Sequence, residues 1–210
     1  MCTHLTFKYE TATQALNYLA IKSGGTINKM KSLKLIFFSD RYHLRKYGRP
    51  VTNDEYLAMN YGPVASGVKD IAEMSSFLDS KVKKYAKRFI KPVSTYKYCS
   101  LTPVDMDIFS ESGIEAIDYA LDHFGGFDKF RIANLTHQYP EWSRHEIALK
   151  NISNALVSAI RMDYLDFLDD PPSGCDPCYL MTADDKKLIA DMINEKSRIN
   201  KMIAGTRAFG

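Results

Sequence analysis

The chain has 210 residues, of which 45% are apolar and 25% charged, and its formal net charge is +3. This composition is typical of a globular protein and excludes wholesale disorder, while so small a charge does not by itself indicate a nucleic-acid partner. The apolar run at residues 35–38 stops at Ser39, so no membrane span is predicted, and residues 1–4 do not open a signal peptide. With four cysteines a disulfide scaffold is not expected, and the predicted location is the reducing cytoplasm.

Helical periodicity dominates the first half of the chain. A helix is predicted over residues 11–23 and stops at Gly24-Gly25, and a second begins after an Asn28 N-cap and ends at Gly48. Residues 55–61 are predicted to be extended, and helical spacing runs from Val64 to Met74. Residues 84–101 predict a hairpin that turns near 91–94 and forms, with 55–61, a small antiparallel sheet.

The second half predicts further helices and a tail. One begins at a Ser110 N-cap and closes at Gly125-Gly126, two follow over 127–138 and 141–149, and 151–168 becomes helical towards Phe167. Residues 169–174 indicate a linker, and a last helix runs from Thr182 to about Ile203. The predicted fold class is α+β and mainly α, with a compact domain over 4–170 and a linker and C-terminal helix over 171–210. The apolar face of this tail is expected to dock on the body, with another chain as the alternative.

No pattern in the chain indicates catalysis. Cys175 and Cys178 form a lone CxxC, but a closed zinc site needs four ligands and no second CxxC follows. Asp40 and His43 share a predicted helix face, for which a solvated or hydrogen-bonded helix is favoured over a catalytic pair. We therefore predict no enzymatic activity, no metal and no cofactor.

Charge is segregated along the chain. Residues 81–97 contain seven Lys or Arg and no acid, and residues 22–49 are also basic, whereas 163–176 are acidic. The basic stretch, interleaved with aromatic residues, favours equally an RNA or acidic protein partner and a solvated strand edge guarded by lysines. The helix pair around Gly24-Gly25 also has a superficial likeness to a helix-turn-helix.

Several segments together carry a family resemblance. Residues 33–44 (LKLIFFSDRYHL) lead into 46–50 (KYGRP), followed by 59–68 (MNYGPVASGV) and later by 135–137 (LTH) and 140–142 (PEW). In this order they resemble the Panacea domain, the family of GepA-like phage-associated proteins and SocA-like antitoxins. The resemblance covers roughly residues 12–150.

The resemblance implies an antitoxin that is encoded beside a small toxin and neutralises it by direct binding. It attributes no catalytic chemistry to the domain. The expected partner is a cognate toxin protein, in a homo-oligomer or a toxin–antitoxin hetero-oligomer. A proteolytic adaptor that delivers the toxin to a protease, and a nucleic-acid-binding autorepressor, are the alternatives. The polar and aromatic residues of the matching segments are the candidate partner contacts: Asp40, Arg41, His43, Arg49, Tyr61, Pro63, His137 and Trp142.

Overall fold

The computed structural model describes residues 5–152, 159–172 and 180–207. Its helices are α1 (Tyr9–Lys22), α2 (Lys29–Tyr47), α3 (Ser66–Glu73), α4 (Ser80–Ala86), α5 (Glu111–Phe124), α6 (Lys129–Thr136), α7 (Pro140–Ser143), α8 (Glu146–Ile152) and α9 (Ala183–Arg207). Its strands are β1 (Thr26–Asn28), β2 (Tyr56–Met59), β3 (Gly62–Ala65), β4 (Ile90–Ser94), β5 (Lys97–Ser100) and β6 (Ala159–Arg161). Short 3-10 helices cover Met106–Ile108 and Tyr164–Leu168. The predicted α+β, mainly α fold class is confirmed.

Helix α2 forms the centre of the molecule. Asn28 caps it by accepting a hydrogen bond from the Lys31 backbone amide, and Gly48 ends it in the left-handed region, as predicted. Every residue from Ser32 to Arg41 is buried, so the helix is covered on all sides. The helix that packs most extensively against α2 is α5. Phe38 of α2 stacks on Phe124 of α5, with ring centroids 3.8 Å apart.

The strands form two separate antiparallel sheets instead of one. The first has the order β1-β5-β4 and the second the order β3-β2-β6. The prediction that residues 55–61 and 84–101 share a sheet was therefore wrong. The reason is that each hairpin pairs with a three-residue strand, β1 or β6, too short to show a period of its own.

Two element boundaries also differ from the prediction. The segment starting at Val64 is not helical at first, because Gly62–Ala65 pairs with β2 and α3 begins only at Ser66. The β4–β5 turn lies at residues 95–96 instead of 91–94, and residues 80–86 before it are helical. Pro92 does not end the strand because β4 is an edge strand, where a missing amide donor is tolerated.

The end of the body and the tail also differ in part from the prediction. Residues 159–161 form β6 and Tyr164–Leu168 form a 3-10 helix, where a longer helix was expected. The Thr182 cap of α9 is confirmed, because its hydroxyl oxygen accepts from the Asp185 amide and donates to the Asp185 carboxylate. Helix α9 buries Ile189 and Ile193 and packs on the Tyr164–Leu168 segment, so the tail docks on the body along this face. Within the described ranges, no helix has the length and apolar character needed to cross a bilayer.

Candidate functional site

Asp40 lies in the core and ties α2 to the loop before β2. Its carboxylate is fully buried and accepts hydrogen bonds from the Thr52 amide at 2.9 Å and the Tyr56 hydroxyl at 2.8 Å. Burial raises the pKa of this carboxyl, and the hydrogen bonds oppose that rise. The side chain has no surface to offer a partner, so any effect of Asp40 on binding passes through the loop that it holds.

Arg41 is buried in an ion pair with Glu141. Its Nε donates to Glu141 at 2.8 Å, one terminal nitrogen donates to the Asp169 carbonyl at 2.9 Å, and the guanidinium lies 4.7 Å from the centre of the Tyr139 ring. Burial raises the pKa of the Glu141 carboxyl, and the charge of Arg41 opposes this shift. Such a pair adds little net stability, but the loss of one partner leaves the other charge buried and unpaired, which is strongly destabilising.

Arg45 was absent from the predicted set, although it is among the largest fully buried side chains. It donates to the carbonyls of Phe167 and Asp169 at 3.0 and 3.1 Å and pairs with Asp170, which also pairs with Lys186 of α9. Arg45 follows Arg41 by four positions, so both lie on one helix face, and both donate to the Asp169 carbonyl. This i, i+4 spacing was the available sequence signal, but their partners lie 100 or more positions away.

The β2–β3 turn brings four of the predicted residues together: Tyr61, Pro63, His137 and Trp142. Two backbone carbonyls beside the turn accept hydrogen bonds from buried side chains. Lys34 Nζ donates to the Pro63 carbonyl at 2.6 Å, and Trp142 Nε1 donates to the Met59 carbonyl at 2.9 Å. Gly62 has a φ of +93°, and a Cβ there would lie 2.3 Å from the Thr136 hydroxyl. A glycine is therefore required where the turn meets the end of α6.

Lys34 is an uncommon support for a turn, because its ammonium is buried. The side chain is 1% exposed, and burial lowers its pKa to about 7. Among the described residues no salt bridge reaches it, and the Pro63 carbonyl is its hydrogen-bond acceptor. Sequence analysis missed this residue because a lysine is expected to be exposed unless it is paired.

Tyr61 and His137 form the exposed part of this region, which we call the turn surface. Tyr61 is 67% exposed at the tip of the turn. His137 is half-buried and stacks on the buried Trp142 ring, with centroids 3.9 Å apart and an interplanar angle of 13°. Burial and the nearby charge of Lys34 lower the pKa of His137, so the ring is neutral near pH 7. Pro63 and Trp142 are buried under the turn surface and support the β2–β3 turn through the hydrogen bonds described above.

The surface of α6 continues the turn surface away from Tyr61. Phe130, Asn134 and His137 follow at helical spacing along one face, and Phe130 is 57% exposed. At the far end, Lys129 Nζ lies 4.8 Å from the centre of the Phe130 ring and 5.9 Å from that of Tyr96. Exposed aromatic groups therefore extend from the β2–β3 turn along α6.

His43 and Arg49 lie apart from the turn surface, at the C-terminal end of α2. The His43 ring is buried, with Nδ1 2.5 Å from the Arg49 carbonyl and Nε2 3.0 Å from the Ser112 hydroxyl. Arg49 itself is exposed. The structure thus divides the predicted residues into the turn surface, a buried framework formed by Asp40 and Arg41, and this second location.

The two basic segments, residues 22–49 and 81–97, lie in different parts of the fold. Helix α2, the second helix of the proposed helix-turn-helix, is buried, and β1 lies between it and α1, so it cannot serve as an exposed recognition helix. The lysines of 81–97 lie on α4, directly after it, on the edge strand β4 and on β5. Cys175 and Cys178 lie outside the described residues, and among the residues that the structure describes no group of three His, Cys, Asp or Glu could hold a metal ion.

Comparison with known proteins gives one match. No curated protein and no solved structure matches the chain. The family model described as antitoxin SocA-like, Panacea domain, matches residues 33–143, which is more than half of the chain and extends from α2 to α7. The matched segment contains Lys34, Arg41, Tyr61 and Trp142, and thus both the buried framework and the turn surface. The chain belongs to the SocA-like antitoxin family with a Panacea domain.

Proposed function

We propose that this protein neutralises a cognate toxin protein by binding it directly, without catalysis, in a toxin–antitoxin hetero-oligomer. The family is one of antitoxins, which supports the general role. The observation that favours direct binding is the turn surface, where Tyr61 is exposed on a backbone that Lys34 and Trp142 hold. We place the encounter in the cytoplasm, in keeping with a chain that has four cysteines and no disulfide-scaffold pattern.

The rigidity of the turn bears on affinity. Binding costs free energy for every side chain and loop that becomes ordered, and a surface already fixed avoids part of that cost. Tyrosine is also among the residues that most often dominate interface energetics, because it offers a large contact area together with a hydroxyl. Tyr61 is thus the anchor that we expect at the centre of the toxin interface, with His137 beside it and Phe130 towards its edge.

The first experiment identifies the toxin. Each small reading frame adjacent to the gene is induced alone and together with this protein, with a pull-down in parallel. Rescue of growth with a stable complex is the expected outcome. Rescue without a stable complex favours the proteolytic adaptor, which a purified assay lacking protease separates from direct masking.

The second experiment places the interface with a matched pair of variants. Tyr61→Ala is compared with Tyr96→Ala, because the two side chains are 67% and 68% exposed and each lies in a hairpin turn. Tyr61→Ala is expected to weaken the complex by about thirtyfold, equivalent to a hot-spot loss of about 2 kcal/mol. Tyr96→Ala is expected to change affinity by less than about threefold. Equal effects, or the reverse order, would place the toxin elsewhere.

A further inference from the structure

A small cavity lies where α1, α2 and α5 meet, near the C-terminal end of α2. Its volume is about 170 Å³, and its lining includes Lys8, His43, Arg49, Phe109 and Ser110. Pockets for drug-sized molecules typically measure roughly 300–1,000 Å³, so this one suits a single small group. Its lining combines apolar side chains such as Phe109 with the cationic Lys8 and Arg49.

The charge of this cavity is uncompensated. Lys8 and Arg49 both line it, and no salt bridge within residues 5–152, 159–172 and 180–207 involves either of them. Burial lowers the pKa of Lys8, and the positive charges of Arg49 and of Lys196 on α9 lower it further. Two cations, Lys8 and Arg49, therefore line one concave site, and Lys196 outside it adds to their mutual repulsion, an arrangement that an anion would stabilise.

The carboxylates that act on this cluster are engaged elsewhere. Asp40, whose charge influences Lys8, is fully buried against Thr52 and Tyr56. Glu115, whose charge influences His43, accepts hydrogen bonds from Tyr42, Tyr47 and Lys46. Neither carboxylate lines the cavity, so neither neutralises it from within.

The backbone that carries Arg49 is fixed. His43 Nδ1 donates to the Arg49 carbonyl at 2.5 Å, which leaves Nε2 to accept from the Ser112 hydroxyl at 3.0 Å. Ser112 in turn lies 3.1 Å from the Ser110 hydroxyl, at the first turn of α5. This chain of hydrogen bonds holds the Arg49 backbone against the start of a 14-residue helix, whose amino end adds partial positive charge.

We propose that this cavity binds a phosphate group, either as the free ion or as part of a small phosphorylated molecule. A dianion offsets the charges of Lys8 and Arg49 together, and a guanidinium fork beside an ammonium is a common way to hold phosphate oxygens. A volume of about 170 Å³ suits one such group. The site does not overlap the turn surface, so this inference does not depend on the toxin interface.

Titration calorimetry on the full chain at low ionic strength tests the proposal, with inorganic phosphate, AMP and acetate as probes. Phosphate or AMP is expected to bind saturably at one site, and acetate far more weakly. If AMP binds more tightly than phosphate the site takes an ester, and if phosphate alone binds it takes the free ion. Arg49→Gln and Lys8→Gln are each expected to weaken binding about ten- to hundredfold, the loss of one charge-assisted hydrogen bond.

Lys97→Gln is the matched control, because this lysine is exposed on β5 and does not line the cavity. It should leave phosphate affinity unchanged, and thermal unfolding of all three variants checks that each one folds. Binding that does not saturate, that acetate reproduces, or that neither Arg49→Gln nor Lys8→Gln weakens would overturn the proposal.

Discussion

The β2–β3 and β4–β5 hairpins both present an exposed tyrosine at the turn, Tyr61 and Tyr96, but the strands behind these tyrosines differ. In the first hairpin all of β3 is buried, and the two carbonyls that flank the turn accept hydrogen bonds from buried side chains. Lys34 donates to the Pro63 carbonyl, and Trp142 donates to the Met59 carbonyl. In the second, β4 is an edge strand exposed after its first residue. The exposed tyrosine therefore lies on a hydrogen-bonded, buried support in the β2–β3 hairpin and beside an exposed edge strand in the β4–β5 hairpin.

This difference bears on the role of the basic stretch. Lys91 and Pro92 lie on the exposed edge strand, where a charge and a missing amide discourage pairing with another chain. An edge protected in this way needs no ligand to explain its lysines. The following variants test how far the support of the two hairpins differs.

The largest effect is expected from Trp142→Ala. The ring is 4% exposed, stacks on His137 and donates to the Met59 carbonyl. Its removal leaves a cavity and an unpaired carbonyl, so the free energy of unfolding should fall by about 3–5 kcal/mol. Urea denaturation measures this value. A loss below about 1 kcal/mol would mean that the turn does not depend on this support.

Lys34→Met is expected to alter the pH dependence of stability. The pKa of Lys34 is about 7 in the folded protein and 10.5 when unperturbed. Between these values the unfolded chain binds more protons, so the contribution of Lys34 to stability rises with pH. The stability of the natural protein relative to Lys34→Met should therefore increase above pH 7 by up to about 1.4 kcal/mol per pH unit. Parallel denaturation curves at pH 7, 8 and 9 would contradict this buried-charge account.

Trp142→Phe separates the hydrogen bond of Trp142 from its volume. Phenylalanine keeps an aromatic ring under His137 but cannot donate to the Met59 carbonyl. We expect a loss of about 1–3 kcal/mol, less than for Trp142→Ala, because a buried acceptor loses its partner. Hydrogen exchange of the β2–β3 amides reports the local part of this change. Unchanged protection there would assign the cost to packing alone.

The smallest effects on stability are expected from the two turn tyrosines. Tyr61→Ala and Tyr96→Ala each remove an exposed side chain, and each should change the free energy of unfolding by less than about 0.5 kcal/mol. Thermal unfolding of both variants provides this measurement. A large loss for Tyr61→Ala would make it a structural residue and would remove it from the proposed toxin interface.

The elements that sequence analysis located correctly are those with local signals. Asn28, Gly48, Ser110 and Thr182 mark helix ends through contacts within three or four residues, and the structure confirms them. The start of α3 was missed because its first amides donate to Asp54, more than ten positions earlier. A capping partner that distant leaves no trace in a local pattern.

The sequence motifs located the candidate site, but they did not indicate which of its residues are exposed and which are buried. Tyr61 and His137 do share a surface, but Asp40 and Arg41 are buried although charged residues are usually exposed. Their burial depends on Tyr56, Glu141 and the Asp169 carbonyl, which only the tertiary fold brings to α2. Spacing along one helix cannot indicate which of its charged residues have distant partners.

The partners of Arg41 have a consequence for the order of events during synthesis. Arg41 contacts Glu141 and Asp169, at separations of 100 and 128 residues, and Arg45 reaches as far as Asp170. The central helix therefore leaves the ribosome long before the groups that neutralise it. Contacts of such separation slow folding, because a long loop must close before they form. Completion of the core is thus delayed until residue 170 has emerged, well beyond the end of the family match at residue 143.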